Sequence, residues 1–288
     1  MNLAQLKRRL KSIKSIVEIT KAMELISAIK LNQIQGGVAS QKAFSTELEN
    51  MFQTLINNEA ISNSSHWSIN SREKAQNKEL IIVFGTERGL CGSLNTQLIR
   101  TLNVYNKDKN IELVTVGQKI SILAPQLNND IIAAFSPGFG WKEFSNILPL
   151  TSLVFEGFKK GDWNKVSIAY PSFISTLTQK PKIVPFLPLS SWANNENLEQ
   201  ETETPLNLTF EGSKDNFLRV TLPFLLELEL WHVNLEANAS EQASRFMTMS
   251  QAKTNSQDLR DDLSLELNDL RQSQITNSLI ESLSVQGS

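Results

Sequence analysis

Apolar residues in the first 56 positions recur at alternating steps of three and four. This spacing places one apolar residue per turn on the same side of an α-helix, as in the seam of a coiled coil. The seam near the start consists of Leu3, Leu6, Leu10, Ile13 and Val17. A looser version of the pattern near the end consists of Leu259, Leu263, Leu267, Leu270, Ile275, Leu279 and Leu283. The two patterns predict very long helices over residues 1–56 and about 217–283.

Helices of this length are too long to be covered by the middle of the chain. At about 1.5 Å per residue they span roughly 80–100 Å, two to three times the width of a small domain. We therefore expect the two helices to pair with each other, antiparallel, as a shaft whose surface contacts other molecules. Gly36 and Gly37 lie inside the first helix, and each costs about 1 kcal/mol relative to alanine. The sequence predicts a kink or local fraying at this pair.

The residues between the two helices alternate between apolar runs and mixed segments. Alternation of this kind indicates βαβ units and a mostly parallel sheet. The predicted strands are Leu80–Phe84, Ile111–Val116, Ile131–Phe135 and Lys165–Tyr170, and the stretches 92–107, 117–129 and 143–160 suit short helices. Two further extended segments, Phe173–Thr178 and Lys182–Leu187, favour a hairpin or an edge of the sheet.

The pattern divides the chain into five segments. We predict an N-terminal coiled-coil helix (1–56), a mobile polar linker (57–78), an α/β domain (79–192), an acidic linker (193–206) and a C-terminal coiled-coil helix (207–288).

Composition excludes several classes of protein. The net charge of the 288-residue chain is −2, which argues against a generic nucleic-acid binder. A single cysteine, Cys91, excludes an internal disulfide and a cysteine-only metal cage. No apolar run approaches the roughly 20 residues that span a bilayer. The basic N-terminus resembles a mitochondrial presequence, but its seam continues past the usual length of one, so we interpret it as mature protein. We expect a soluble, intracellular chain with no direct membrane insertion.

The turn Gly85–Gly92 is the strongest candidate for a ligand site, because it follows a strand and precedes a helix. Its residues do not fit a nucleotide. No Lys-Ser or Lys-Thr pair follows the last glycine, and the glycine spacing does not match GxGxxG. We therefore interpret Gly89 and Gly92 as residues of a tight structural turn, and we expect no cofactor.

Other reactive side chains form no catalytic set in the sequence. Cys91 near a helix N-terminus could be a nucleophile, but it needs a base, and His66 and His232 are both distant in sequence. His232 lies between Trp231 and Val233, where a core or interface histidine is the more common finding. We predict a chain with no catalytic, cofactor or metal residues, which is not an enzyme by itself.

Charged residues on the two helices indicate contacts with a partner. The first acid, Glu18, follows a basic run, and Lys7, Arg8, Lys11, Lys14 and Lys21 are candidate contacts. The run is compatible with a solvated helix face, with nucleic-acid binding, or with an acidic loop or ring around the shaft. Near the other end, Arg271 and Gln272 lie beside the seam and offer several directional donors, which can hold a facing carboxylate or carbonyl.

Four stretches, in this order, resemble the gamma subunit family of the F-type ATP synthase. The first runs from Ser12-Ile13-Lys14 to Ile19-Thr20-Lys21-Ala22-Met23-Glu24, and the second is the turn Glu87-Arg88-Gly89-Leu90-Cys91-Gly92-Ser93-Leu94-Asn95. The third runs from Phe173-Ile174 through Gln179-Lys180-Pro181 to Leu187-Pro188-Leu189. The fourth combines Ser240–Met247 with Asn268, Arg271-Gln272, Ile275-Thr276 and Leu279. Glu87 and Ser93 stand where the family usually has aspartate and glycine.

The resemblance implies an antiparallel coiled coil of the terminal helices and a central Rossmann-like α/β domain that binds no nucleotide. It implies a rotor shaft inside a hexamer of alpha and beta subunits, which couples ion flow through a membrane c-ring to ATP synthesis or hydrolysis. The α/β domain would stand on the c-ring with the epsilon subunit. Met23, Arg271 and Gln272 would meet the catalytic subunit, with Met23 close to the same contact as the other two. The implied location is the cytoplasmic face of a bacterial cell membrane, with a mitochondrial or plastid location as the alternative.

Two other classes of function use fewer of these features. One is a free-standing α/β enzyme with helical dimerisation arms, which requires a ligand site in the turn Gly85–Gly92. The other is a coiled-coil scaffold or nucleic-acid adaptor that uses the basic helix, and its affinity would fall steeply with salt.

Overall fold

The computed structural model of the chain describes residues 3–57, 66–69, 77–107, 109–135, 143–194 and 216–286. These residues group into two compact units. The helix-pair unit contains Met1–Ile29 and Arg245–Ser288, and the sheet unit contains Lys30–Ser244. The segment boundaries drawn from the sequence stay a prediction, because this grouping divides both long helices.

The helix-pair unit is built from parts of the two longest helices. Helix α1 spans Leu3–Asn57 and the last helix, α5, spans Leu222–Gln286, preceded by a π-helical turn at Phe217–Thr221. Both agree with the apolar pattern. Helix α1 passes through Gly36 and Gly37 without interruption, so the expected local fraying is wrong. A modest propensity cost at two positions is small against the length of a 55-residue helix.

The sheet unit contains five strands. They are β1 (Glu79–Phe84), β2 (Ile111–Val116), β3 (Asp130–Phe135), β4 (Lys165–Phe173) and β5 (Gln179–Leu187). Their order is β3-β2-β1-β4-β5, with the first four parallel and β5 antiparallel to β4. The crossovers carry helices α2 (Leu94–Tyr105), α3 (Gln118–Leu123) and α4 (Leu148–Lys160). The predicted α/β alternation is confirmed.

Apolar cores cover both faces of the sheet, which explains why β1 is buried along its whole length. One face packs against α2, α3 and the turn after α3, through residues such as Leu98 and Ile120. The other face packs against α4 and the first third of α5, where Leu222, Leu226 and Leu230 recur every four residues and are 0% exposed.

The hairpin lies earlier in the chain than the sequence indicates. Strand β4 continues to Phe173 and pairs with β5 from Gln179 onward, so residues 174–178 form a turn and not a strand. The reason is local hydrogen bonding. The side-chain Nε2 of Gln179 donates to the carbonyls of Ser175 and Thr176 at 2.8 and 3.0 Å, which closes the turn.

Part of the segment expected to be a mobile linker is fixed to the sheet unit. Ile69 is 1% exposed, and the backbone N–H groups of Leu189 and Ser190 donate to the carbonyls of Ser68 and Ile69. The Trp67 ring lies 5.2 Å from that of Phe155. One tryptophan and one isoleucine among polar residues are therefore enough to anchor residues 66–69. Most of the acidic linker predicted at 193–206 lies outside the described residues.

Candidate functional site

The seam of the helix-pair unit brings the two ends of the chain together. Leu6, Leu10 and Leu263 form a buried cluster, with Ile13, Leu259, Leu267 and Leu270 packed around it. Every member of this cluster belongs to one of the two apolar patterns. The predicted pairing of the terminal helices is confirmed.

A partly buried ion pair fixes the register of the seam. The Lys253 ammonium contacts both carboxylate oxygens of Glu24, at 2.6 and 2.8 Å. This hydrogen bond holds the pKa of the Glu24 carboxyl below its usual value, although burial of the carboxyl acts in the opposite direction. Because residue numbers rise along α1 as they fall along α5, the helices run antiparallel.

This register separates two residues that were expected to share a contact. Met23 lies next to Glu24 and so is level with Lys253, whereas Arg271 is about 18 residues, or about 27 Å, farther along α5. The expectation that Met23 lies close to the contact of Arg271 and Gln272 is therefore wrong. The sequence carries the two seams but not their mutual register, which depends on the Glu24–Lys253 pair.

The candidate contact residues differ in how far they face solvent. Arg271 and Gln272 are exposed, as is every residue from 271 to 280, and Met23 is half-buried. Among these exposed residues are three large apolar ones, Ile275, Leu279 and Ile280. This end of α5 therefore presents directional donors and apolar side chains to solvent on the same helix.

The basic candidates lie beside the seam. Lys7, Arg8, Lys11, Lys14 and Lys21 are all exposed. At about 100° per residue, the four lysines fall within about 80° of one another around α1, and Arg8 lies on a different side. The lysines can therefore act together on an acidic partner.

A second apolar strip on α1 was not predicted from the sequence. Ile19, Ile26 and Ile29 are 57%, 53% and 48% exposed, and with Ala22 they follow steps of three, four and three. The strip lies about 180° around the helix from the pairing seam. The same spacing rule that identified the first seam would have found it. Exposed apolar strips of this kind are typical of interaction surfaces.

In the sheet unit, backbone N–H groups of the turn Gly85–Gly92 donate hydrogen bonds to a side chain of α5. The backbone N–H groups of Glu87 and Arg88 donate to the carboxylate of Glu241, at 3.0 and 3.4 Å. Glu241 is 4% exposed, and its carboxyl group occupies the position where a phosphate cradle would hold an anion. The turn is also held by Asn95, which bonds to the backbone N–H and the hydroxyl of Thr86 at 3.1 and 2.7 Å.

The glycines of this region have unequal roles. Gly92 has a φ of 57°, which favours glycine. At Gly89 a Cβ would meet only the Cε of Lys119, at 3.7 Å. At Gly85, in contrast, a Cβ would lie 2.3 Å from the Cβ of Ile120, and Gly117 has a φ of 115°. The strictest requirements thus fall on Gly85 and Gly117, where β1 and β2 end side by side.

The remaining candidates for chemistry have structural surroundings. Cys91 is buried, and its carbonyl accepts a hydrogen bond from Ser244 at 2.7 Å. Burial lowers the pKa of His232, with Glu236 opposing and Lys182 adding to this effect. Among the residues that the structure describes, no three His, Cys, Asp or Glu side chains come together to hold a metal ion. None of the helices in the described ranges has an apolar stretch that could cross a membrane.

Comparison with known proteins identifies the family. The family described as ATP synthase matches residues 2–284. The gamma chain of Pelotomaculum thermopropionicum is 32% identical over 284 residues, which cover 97% of this chain and 96% of that protein. The gamma chain of Roseiflexus castenholzii is 28% identical over 282 residues, covering 96% and 94%.

Solved structures show the same fold. A chain of the mitochondrial ATP synthase of Euglena gracilis, from the OSCP/F1/c-ring assembly, matches with a TM-score of 0.69 and 16% identity. The match covers 99% of this chain and 93% of that one. The fold, the paired terminal helices and the near-complete sequence matches agree, and the chain belongs to the ATP synthase gamma chain family.

Proposed function

We propose that the chain is the central-stalk rotor subunit of an F-type ATP synthase. In this role it is non-catalytic: its rotation couples ion flow through the membrane c-ring to ATP synthesis or hydrolysis in the catalytic hexamer. Beyond family membership, the observation that best supports this function is the surface of the helix-pair unit. A helix pair that is sealed along one seam and apolar on the opposite side is suited to being surrounded by other subunits.

The alpha and beta subunits contact this surface at two levels. Arg271 and Gln272 meet the catalytic subunit at the exposed end of α5, where an arginine can form paired hydrogen bonds with a carboxylate. Met23 and the strip of Ile19, Ile26 and Ile29 form a separate level, about 27 Å away along the axis. The exposed lysines of α1, together with Arg8, attract acidic loops of the surrounding subunits.

The sheet unit contacts the epsilon subunit and the c-ring. It needs no nucleotide for this role, and the Glu241 carboxylate takes backbone donors that a phosphate would otherwise use. The gamma chains matched in Pelotomaculum and Roseiflexus are bacterial, which favours the cytoplasmic face of the cell membrane as the site of the complex.

Reconstitution tests this function. Purified alpha and beta subunits of one bacterial ATP synthase are mixed with this chain, and complex formation and ATP hydrolysis are measured. Epsilon and a membrane-embedded c-ring are then added, and ion pumping into vesicles is measured in parallel. The control is Leu263→Asp, which places a charge in the seam cluster.

We expect the unmodified chain to join the complex and to restore both activities, and the control to lose both. The proposed function is wrong if the unmodified chain neither co-purifies with alpha and beta nor supports pumping. Binding of the chain to nucleic acid instead would favour the adaptor.

A further inference from the structure

Two glutamates on α5 connect that helix to two different loops of the sheet unit. Glu236 accepts hydrogen bonds from the hydroxyl of Ser172 and the backbone N–H of Phe173, at 2.6 and 2.9 Å, where the β4–β5 hairpin begins. Glu241 accepts the backbone N–H groups of Glu87 and Arg88 in the turn after β1. Each carboxylate thus accepts at least one hydrogen bond from a backbone N–H group of the sheet unit.

Helix α5 supplies both a hydrogen-bond acceptor and a hydrogen-bond donor to the turn after β1. Glu241 accepts from its N–H groups, and the hydroxyl of Ser244 donates to the carbonyl of Cys91 at 2.7 Å. Glu241 and Cys91 are each 4% exposed, so little water competes for these bonds. A charge-assisted hydrogen bond in such surroundings is among the strongest polar contacts in a protein.

The hairpin is held to both long helices. Phe173 packs against a small cluster formed by Leu31 and Ile34 of α1 and by Ala239 and Ala243 of α5. The two alanines are 0% exposed and lie one turn apart, which lets α1 approach α5 closely. The bond from Phe173 to Glu236 therefore secures the hairpin where the two long helices of the sheet unit meet.

The two glutamates leave α5 in different directions. Five residues of an α-helix advance about 7.5 Å and turn about 140°, so Glu236 and Glu241 attach to the sheet unit on nearly opposite sides of the helix. The apolar packing of Leu222, Leu226 and Leu230 already limits rotation of the helix about its own axis. Two polar attachments on nearly opposite sides add to this resistance.

We propose that Glu236 and Glu241 are the positioning residues through which the sheet unit turns α5. Ser244 reinforces the attachment made by Glu241, because it bonds to the same turn. This inference rests on the proposed function, because it names where torque enters the shaft. Rotation of the sheet unit pulls on α5 through the hairpin at Glu236 and through the turn at Glu241. Helix α5 then continues to Gln286 without interruption.

Single-molecule rotation tests the inference. A complex of alpha, beta and this chain is fixed by its alpha and beta subunits, and a bead is attached to a cysteine introduced at the exposed Lys107. The angular variance of the bead during catalytic pauses reports the torsional stiffness of the rotor. Glu236→Ala/Glu241→Ala is compared with the unmodified chain, with each single alanine variant and with Glu241→Gln. The control is Glu156→Gln, at an exposed position of α4.

We expect the double variant to increase the angular variance at least about twofold, each single alanine variant to give about half of that increase, and Glu156→Gln to change nothing. Glu241→Gln keeps an acceptor oxygen and should recover part of the stiffness. If the double variant does not assemble, Ser244→Ala, which removes only a hydroxyl, replaces it in the same measurement.

Two outcomes separate this inference from the proposed function. If the unmodified chain rotates and the Glu236, Glu241 and Ser244 variants are as stiff as Glu156→Gln, the inference is wrong and the rotor function stands. If the unmodified chain neither joins alpha and beta nor rotates, the proposed function itself fails.

Discussion

The Nζ atom of Lys253 lies 2.6 Å from a carboxylate oxygen of Glu24, on the facing helix of the pair. Their side chains are 26% and 15% exposed, so this is a partly buried pair in a seam that is otherwise apolar and hydroxyl-bearing. A contact between residues 229 positions apart cannot form unless both ends of the chain are in one register. The pair therefore selects a single register from the several that a repeating seam allows.

Loss of this ion pair should destabilise the helix-pair unit. We expect Lys253→Ala and Glu24→Ala each to lower the unfolding free energy by about 1 kcal/mol, since the pair is only partly shielded from water. The exchange Glu24→Lys/Lys253→Glu should restore most of this loss. Urea unfolding followed by circular dichroism gives the unfolding free energies of the unmodified chain, the two single variants and the exchanged variant. If the exchanged variant were no more stable than the single variants, the ion pair would not be the source of the loss.

The same pair predicts a dependence on acid. The pKa of Glu24 is lowered in the folded chain, so its stabilisation is full above the ordinary carboxyl value and is lost as the pH falls through the folded value. Glu24→Gln should flatten this part of the stability profile. Unfolding measured between about pH 5 and 3 compares the two chains.

Burial of His232 predicts an effect in a different pH range. Its pKa is lowered, chiefly by burial, so the unfolded chain takes up a proton at a higher pH than the folded chain does. Stability from this source is full above the ordinary histidine value of about 6.5 and falls as the pH drops below it. His232→Gln should be less sensitive between pH 7.5 and 5.5. His66, whose pKa burial also lowers, contributes a slope of the same sign that remains in the variant.

The two contact levels on the shaft should act independently. Arg271→Ala and Met23→Ala should each reduce the ATPase rate of the reconstituted complex, and their effects should add in free energy, because sites about 27 Å apart share no partner. Arg260→Ala serves as the control, since this arginine pairs with its neighbour Asp261. Strong non-additivity would show that both residues grip a single element of the catalytic subunit.

Glycine substitutions should separate close packing from turn flexibility. Gly85→Ala forces a Cβ to within 2.3 Å of a fully buried isoleucine, and we expect a loss of about 1–3 kcal/mol. Gly89→Ala meets only the end of a lysine side chain, and its φ is not in the left-handed region, so stability should stay within about 0.5 kcal/mol. Thermal unfolding of both variants measures the difference. A large loss at Gly89 would restore it as a residue that the turn requires.

Residues with a repeating pattern were predictable, and those with a single specific partner were not. Leu6, Leu10 and Leu263 follow from spacing alone, and most of β1 follows from the apolar run Leu80–Phe84. The register of the helix pair, the anchoring of Trp67 and the capture of the β1 turn by Glu241 did not follow. Each depends on contacts between residues far apart in the chain, and a local pattern carries no information about such a pair.

The hairpin shows the same limit at shorter range. Strand propensity placed an extended segment at Phe173–Thr178, because β-branched and aromatic residues are common there. The amide of Gln179 and the hydroxyl of Ser175 instead bond to the backbone of the turn, and that competition decided the local structure. Among the candidate contacts, exposure supports Arg271 and Gln272, but which subunit they meet is a property of the assembly and not of this chain.

The register also places the C-terminal end of α5 beyond the start of α1. The start of α1 is level with about residue 274, so α5 continues for about twelve residues beyond that end of α1. The end of a helix that lacks tertiary packing is marginal in water, because most helical stability in proteins comes from packing of an apolar face. Insertion of this end into a surrounding ring is then a folding reaction as well as a docking reaction. Its calorimetric signature would be a negative heat-capacity change larger than rigid docking gives, since Ile275, Leu279 and Ile280 leave water as the helix becomes fixed.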